Sequence, residues 1–519
     1  MIQPFSIFRK VCAPASKLSL RILAFSMIPT IALSADAAPF PQSSPAAKPA
    51  DAPVEVTLRP ASAPVPALKY RLVPERRKLI HGNAAIFYHR AIQMVILDRG
   101  QRMATALSDP AQNRKAPDDE ISRWTNTPLG DLPHKEIREL LINRFGNVLN
   151  ELEQGTLRDT CDWEFDQRTD GIWLLLSDLD ESRTLARIVA LRAQVAILDG
   201  KPDEAMHWIR TGMTLGRHVA QGPLLIQALI GVAIESRMKE CLLEMIQSPG
   251  TPSLYWALAD RPRPLIDPRP AYEGERYTLE RELPGMSDIE DHVWSDDEAR
   301  RFADTLQRKL YTFMGGQGPT APGTEETLSS FERRFRIAAI AARLYPEASR
   351  AVIAEGWPEA KIKAMPVLQV ACLYTYSEYR KLRDETYKWL HVPYRHSFDK
   401  LANSLDAIIA GRPENPLLTF FGETAPSLKS ARLSFARLER EFDAVQAIEA
   451  IRLYSHSHQG ALPPSLEAMT EAPVPIDLAT GKPFEYKVSG DTATLSGPVL
   501  PGAPDHPRFK VHYLLKLTR

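Results

Sequence analysis

Between about Leu68 and Pro426 apolar residues recur every three to four positions, the interval that lines one face of an α-helix. The stretch 83–100 runs to Gly100. The stretch 133–155 opens at Pro133 and repeats Ile137, Leu140, Leu141 and Phe145 before Gly155, so each is read as one helix closed by glycine. In 183–219 the first half is apolar nearly all round, with a thin polar strip at Arg183, Arg187 and Gln194, the mark of a helix buried on most sides. Gly200 should end it; Pro202 suits the first turn of the next helix, and Asp203 and Glu204 suit its positive N-terminus. Ala193, Ala196, Ala205 and Gly212 are small enough for two antiparallel helices to cross closely. Further helices are expected over 223–247, after Ser295 (where Ser295 and Glu298 spell a capping box), over 327–356 and over 366–390.

The period changes near the C-terminus. A long helix over 428–458 carries a stripe of Phe435, Leu438, Phe442, Val445 and Ile448. FEYKV and TATLS flank Gly490 as a β-hairpin, and Phe509, Val511, Tyr513, Leu515 and Leu517 alternate as the inward face of a third strand. The expected fold class is mainly α: antiparallel helical hairpins in a bundle, with a small C-terminal α+β module made of a long helix plus a three-stranded antiparallel sheet. The expected organisation is a signal peptide (1–37), a Pro/Ala-rich linker (38–67), a helical domain (68–425, with a subdivision near 250–295) and the module at 426–519.

The first 37 residues read as an export signal. Arg9, Lys10, Lys17 and Arg21 precede a 12-residue apolar run, Ile22 to Leu33, and Ala35 and Ala37 occupy the small positions before a cut between Ala37 and Ala38. The basic region is longer than usual, so an uncleaved anchor is the lesser reading. The expected location is exported, periplasmic or associated with the cell envelope. Residues 38–67 contain eight prolines and little apolar bulk, the composition of an extended tether. Loss of residues 1–37 leaves a net charge of −3, which disfavours nucleic acid as a partner. The most apolar later run, 223–234, is too short to span a bilayer, so no transmembrane helix is expected in the mature chain.

Candidate chemistry is sparse. His456 and His458 stand two residues apart, about 200° around a helix, so a shared metal would require the last turn to unwind. Continuing the apolar stripe puts His456 on the buried face, and Gly460 followed by Pro463 and Pro464 reads as helix termination. Asp159, Asp162, Glu164, Asp166 and Asp170 form an acidic loop able to offer oxygens to calcium, but without the glycine and closing acid of an EF-hand; a solvated turn beside Trp163 is the favoured reading. Arg261, Arg263, Arg269, Arg276 and Arg281 offer a grip on an anion, set against a balanced extended crossover whose charges pair with nearby glutamates. Tyr374, Tyr376, Tyr379, Tyr387, Trp389, Tyr394 and Phe398 offer a stacking surface, set against a core. Cys161, Cys241 and Cys372 are too dispersed for a zinc or redox motif, and whether any two of them pair is left open. No GxSxG, HExxH or GxGxxG string occurs. No cofactor and no catalytic residue is assigned. A non-enzymatic scaffold or interaction protein with an envelope partner is the expected function. The alternatives are a carboxylate- or metal-dependent hydrolase and a pseudopilin-like assembly component.

Three resemblances bear on this reading. LKYRLVPERR, GNAAIFYHRA, CDWEFDQRTDGI, RPRPLIDPRPAYEGER and GALPPSL, with the closing PVPIDLATGKPFEYKVSGDTATL, are similar to a group of uncharacterised exported proteins from planctomycete-type bacteria, over roughly 68–519. That resemblance implies export and no particular activity. Residues 183–219 resemble a tetratricopeptide-type hairpin at Gly200, Ala205, Ile209 and Gly212, with Val189 and Ala193 replacing the usual aromatic and glycine of its first helix. Leu462, Pro463, Leu466, Asp477, Gly481, Pro483 and Tyr486 resemble the C-terminal outline of type II secretion pseudopilins, whose own helix lies at the extreme N-terminus. This implies a shared small fold.

Overall fold

The computed structural model describes residues 52–108, 120–164, 171–313, 330–410, 415–418 and 425–518. The expected signal segment, its expected cut between Ala37 and Ala38, and residues 38–51 of the linker lie outside these residues. The fold is mainly helical with a small sheet built largely from the C-terminal strands.

Strand β1 (Val54–Leu58) falls inside the stretch read as a tether. Its five residues lie between Pro53 and Pro60 and contain no proline; Val56 and Leu58 turn inward and are buried. β2 (Ile80–Asn83) leads into α1 (Ala85–Ser108), which continues through Gly100 instead of ending there. Glycine in a helix interior costs about 1 kcal/mol against alanine, less than the burial of Tyr88, Ala91, Ile92 and Val95 returns. After α2 (Glu120–Thr125), the single helix expected over 133–155 is two, α3 (His134–Asn143) and α4 (Gly146–Thr156), broken at buried Phe145. β3 (Arg158–Thr160) then pairs in parallel with β2.

The predicted hairpin is present as α5 (Gly171–Leu198) and α6 (Pro202–Val219). Gly200 has φ +68°, and the Lys201 N–H closes on the Ala196 carbonyl at 2.9 Å, a left-handed glycine stop. Ala193, Ala196 and Ala205 are fully buried. Gly212 serves a different crossing: a Cβ there would lie 2.1 Å from Met238 Sδ on α7 (Leu225–Gln247), and the Gly216 carbonyl lies against Gly231. Gly212, Gly216 and Gly231 thus let α6 and α7 cross closely.

The proline- and arginine-rich crossover is not extended throughout. It follows α8 (Tyr255–Ala259) and contains α9 (Arg269–Arg276) and α10 (Thr278–Glu282), with Pro270 inside the first turn of α9. Next come α11 (Asp296–Phe313), α12 (Ser330–Ala354), α13 (Glu359–Ala364), α14 (Val367–Tyr387) and α15 (Tyr394–Ala410). The capping box ahead of α11 forms: Ser295 N–H and Oγ both reach Glu298 Oε2, and Glu298 N–H returns to Ser295 Oγ at 3.3 Å.

The long helix α16 (Ala425–Ser457) is followed by β4 (Ile476–Asp477), β5 (Lys482–Pro483), β6 (Glu485–Ser489), β7 (Thr492–Gly497) and β8 (Val511–Leu517). The expected β6–β7–β8 meander forms, but the sheet is not three-stranded and antiparallel. Its order is β1-β8-β7-β6, with β1 parallel to β8 in the register Val56 to Leu515. An uncovered β8 edge would leave a row of unpaired backbone groups, and β1 occupies it.

One core joins α1 to α9, part of α15, most of α16 and this sheet; a second joins α10 to α14. From Phe442 to Arg452 every residue of α16 is buried, so the helix is enclosed on all sides and not merely along its apolar stripe.

Candidate functional site

The histidine pair marks a helix end. The His458 N–H reaches the Tyr454 carbonyl at 3.1 Å and the Gly460 N–H reaches Ser455 at 2.8 Å. Gln459 takes the left-handed conformation (φ +57°) and Gly460 follows at φ +81°, so the stop is one residue earlier than glycine alone suggests. The His458 ring stacks flat on Tyr454 at 3.7 Å. His456 is exposed, which corrects its placement on the apolar face; Arg452 and Ser455 are buried there instead. A seven-residue stripe drifts by about 20° per heptad on a straight helix, enough over three heptads to move His456 out.

The acidic stretch is a turn tied to β2. The Asp159 carboxylate accepts the Gly82 N–H at 3.0 Å and faces His81 at 3.2 Å; these two contacts hold it below the usual carboxylate range. Asp162 accepts the Glu164 N–H, and Asn83 bridges to the Asp162 backbone. Asp166 and Asp170 lie outside the described residues. Among the described residues no three His, Cys, Asp or Glu side chains are placed to hold a metal ion, and no hydrogen bond or ion pair joins Asp162 or Glu164 to His456 or His458. Trp163 anchors the turn from below: its Nε1 donates to the His218 carbonyl and its ring stacks on Tyr88. Burial, then Arg217, pushes the His218 imidazole down to about 4, so it stays neutral while its Nδ1 meets the Tyr88 hydroxyl at 2.7 Å.

The five arginines of the crossover are spoken for. Arg261 is buried against Asp443 and Gln446; Arg263 reaches the same two; Arg269 clasps Asp267; Arg276 meets Asp384 and Glu273; Arg281 lies near Glu282. Of the aromatic set, Tyr376, Tyr379, Tyr387, Tyr394 and Phe398 are core, while Tyr374 and Trp389 are only partly buried. The three cysteines are free and buried. Burial alone pushes the Cys372 thiol up to about 12, which suits a small hydrophobe and not a nucleophile.

What the fold assembles is a cleft of about 580 Å³ between the crossover, the turn Leu390 to Tyr394 and the first half of α16. Ile266, Leu390, Phe435 and Leu438 make its apolar floor, each nearly or fully buried. Arg263, Asp267, Arg269 and Arg432 bring charges of both signs to its walls. The Arg432 Nη2 is fixed by the Val392 carbonyl at 2.5 Å, which ties α16 to the turn. Beside it, the buried Tyr272 ring packs edge-on against Phe435, and burial pushes its hydroxyl up to about 12 against the opposing pull of Arg432. Glu439 accepts the Leu265 N–H, and burial raises its carboxyl above the ordinary range.

Further along α16 lies a series of buried ion pairs. Arg440 donates to both Asp477 oxygens at 2.7 Å and to the Phe509 carbonyl at 2.9 Å. Glu449 accepts from Arg452, Ser253 Oγ and the Leu254 N–H, and Arg452 donates to the carbonyls of Arg59 and Thr251.

No family model matches this chain, and neither a curated protein nor a solved structure shows significant similarity to it.

Sequence reasoning missed Arg432, Glu439 and the 390–394 turn as cleft residues. The signal was present in part: Arg432, Phe435, Ala436 and Glu439 follow helical spacing on one face. Their opposite wall lies about 170 residues away in the chain, and no local pattern encodes that encounter.

Proposed function

We propose that this is an exported, non-catalytic interaction protein of the cell envelope, and that the cleft over Phe435 holds an extended peptide segment of a protein partner. The observation that carries this reading is the cleft's composition, an apolar floor with arginines and carboxylates together on its walls. Such a surface suits a segment with alternating apolar and charged side chains, where burial supplies affinity and the paired charges set register. Export rests on the N-terminal pattern and on the likeness to exported planctomycete-type proteins. No described helix is long and apolar enough to cross a membrane.

The test is a cross-linked pull-down from envelope fractions with the parent chain, with Ala436→Trp, which fills the cleft, and with Arg269→Glu, which inverts an exposed wall charge. A partner captured by the parent and lost from both variants, with unchanged melting temperatures, supports the proposal. A partner retained by both defeats it.

One observation favours a hydrolase as the second reading: the carboxyl of Glu439 is held up by burial in a cleft wall, as a general acid requires. Turnover in a broad hydrolase screen that disappears in Glu439→Gln would replace the first reading with this one. Pseudopilin-like self-association through 428–458 is the weakest alternative, because Phe442 to Arg452 are already buried within the chain.

A further inference from the structure

A second concavity, of about 450 Å³, opens between α7, α16 and the approach to β8. The residues that turn Phe509, Val511 and Tyr513 into the core present His506, Arg508, Lys510 and His512 to this space. From α7 come Ser236, Lys239 and Glu240, one helical turn apart; from α16 come Arg437 and Glu441. The lining thus carries Lys239, Arg437, Arg508 and Lys510 against only Glu240 and Glu441, with two imidazoles in addition.

The two acids are already engaged. Glu441 meets Lys239 at 2.7 Å and Arg437 at 3.8 Å, and Glu240 meets Arg237 at 2.7 Å. Burial works against the Glu441 carboxylate, but Lys239, Arg437 and Arg440 together hold it below the usual range. It is therefore a fixed anion that anchors the wall. Lys510 reaches Asp505, an aspartate 80% exposed, in a pair that water and salt screen. A solvated cationic strand face would account for Arg508 and Lys510, but not for Ser236. That residue is 4% exposed, lines the cavity, and its hydroxyl has no hydrogen-bond partner. A buried serine in a helix ordinarily bonds the carbonyl one turn back; this one does not, and a buried hydroxyl left unmade is costly.

We infer that this cavity binds a phosphate ester, with Ser236 Oγ donating to a phosphate oxygen and Arg437, Arg508 and Lys510 neutralising its charge. Arginine supplies paired donors that match phosphate geometry, and the volume falls within the range of small-ligand sites. The inference does not depend on the peptide reading of the other cleft. A soluble phosphate ester and a phospholipid headgroup share this chemistry.

The full chain is titrated with glycerol 1-phosphate by calorimetry, and separately with phosphatidylglycerol vesicles, against phosphatidylcholine vesicles as the blank. Ser236→Ala and the pair Arg508→Ala with Lys510→Ala should each weaken binding roughly tenfold or more. Lys487→Ala, an exposed base on β6 outside the cavity, should leave it unchanged. Binding of the soluble ester assigns the site to small phosphate esters. Binding of phosphatidylglycerol vesicles alone assigns it to a lipid headgroup. Binding of neither probe overturns the inference. So does a response in which Lys487→Ala loses as much as the cavity variants, or in which Ser236→Ala with unchanged melting temperature loses nothing.

Discussion

Glu235 lies on α7 with no exposure, and neither of its carboxyl oxygens has a hydrogen-bond partner among the described residues. Burial pushes its carboxyl well above the ordinary range; Arg217 opposes this and Glu439 adds to it. The folded protein therefore keeps a proton there that the unfolded chain gives up. Wherever the native state binds more protons, stability falls as pH rises. The contribution of this proton is fully present below the unfolded glutamate value and declines as pH climbs toward the raised folded one. Glu235→Gln keeps the shape and removes the titration. It should gain on the parent as pH rises, by about 1.4 kcal/mol for each pH unit over which only the native state holds that proton. Denaturant unfolding from pH 4 to 8 checks this: the variant's midpoint should stay level where the parent's declines, and parallel curves would refute the account.

At the scale of elements, α16 decides the most. Its stripe of Phe435 to Ile448 was legible, and so were the stops at Gly200 and Gly460 and the capping box at Ser295, because each depends on neighbours within a few residues. Its polar face was misleading. Among the described residues Arg440 and Arg452 are the two largest fully buried side chains, although sequence alone assigns such residues to solvent. They are held by Asp477 and Glu449, and Gly497 has no side chain because a Cβ there would lie 2.5 Å from Arg440 Nη2. Removing one partner of such a pair strands the other charge. Asp477→Asn should cost about 3–5 kcal/mol, whereas Arg440→Met combined with Asp477→Leu should recover most of that loss. Urea unfolding of the two variants measures both; a single variant as stable as the double would show that the pair bears little on folding.

For the molecule as a whole, the sheet closes the chain on itself. β1 pairs with β8 across more than 450 residues, Thr57 N–H bonds the Gln247 side chain, and Arg452 takes the Arg59 carbonyl. The N-terminal strand, the end of α7 and the end of α16 thus share one junction. Val56→Asp places a charge in that core and should release β1. The expected result is rapid cleavage by added protease between residues 52 and 60, with stability reduced by more than about 2 kcal/mol. Protection equal to the parent's would show that the strand is dispensable.

Read from the residues in order, the chain discloses its helical class, the hairpin at 183–219, the C-terminal alternation of apolar residues, the glycine stops at Gly200 and Gly460 and the capped start at Ser295. These follow from periodicity and from backbone preferences that act over a few residues. Long-range packing settles the rest: that a proline-flanked pentapeptide becomes the fourth strand, that the charged face of α16 is interior, and where the two clefts form. Each of those outcomes requires a partner segment remote in the chain, Leu515 for Val56, Asp477 for Arg440, Leu390 for Phe435. A buried charge or a strand edge is stable only once that partner has arrived.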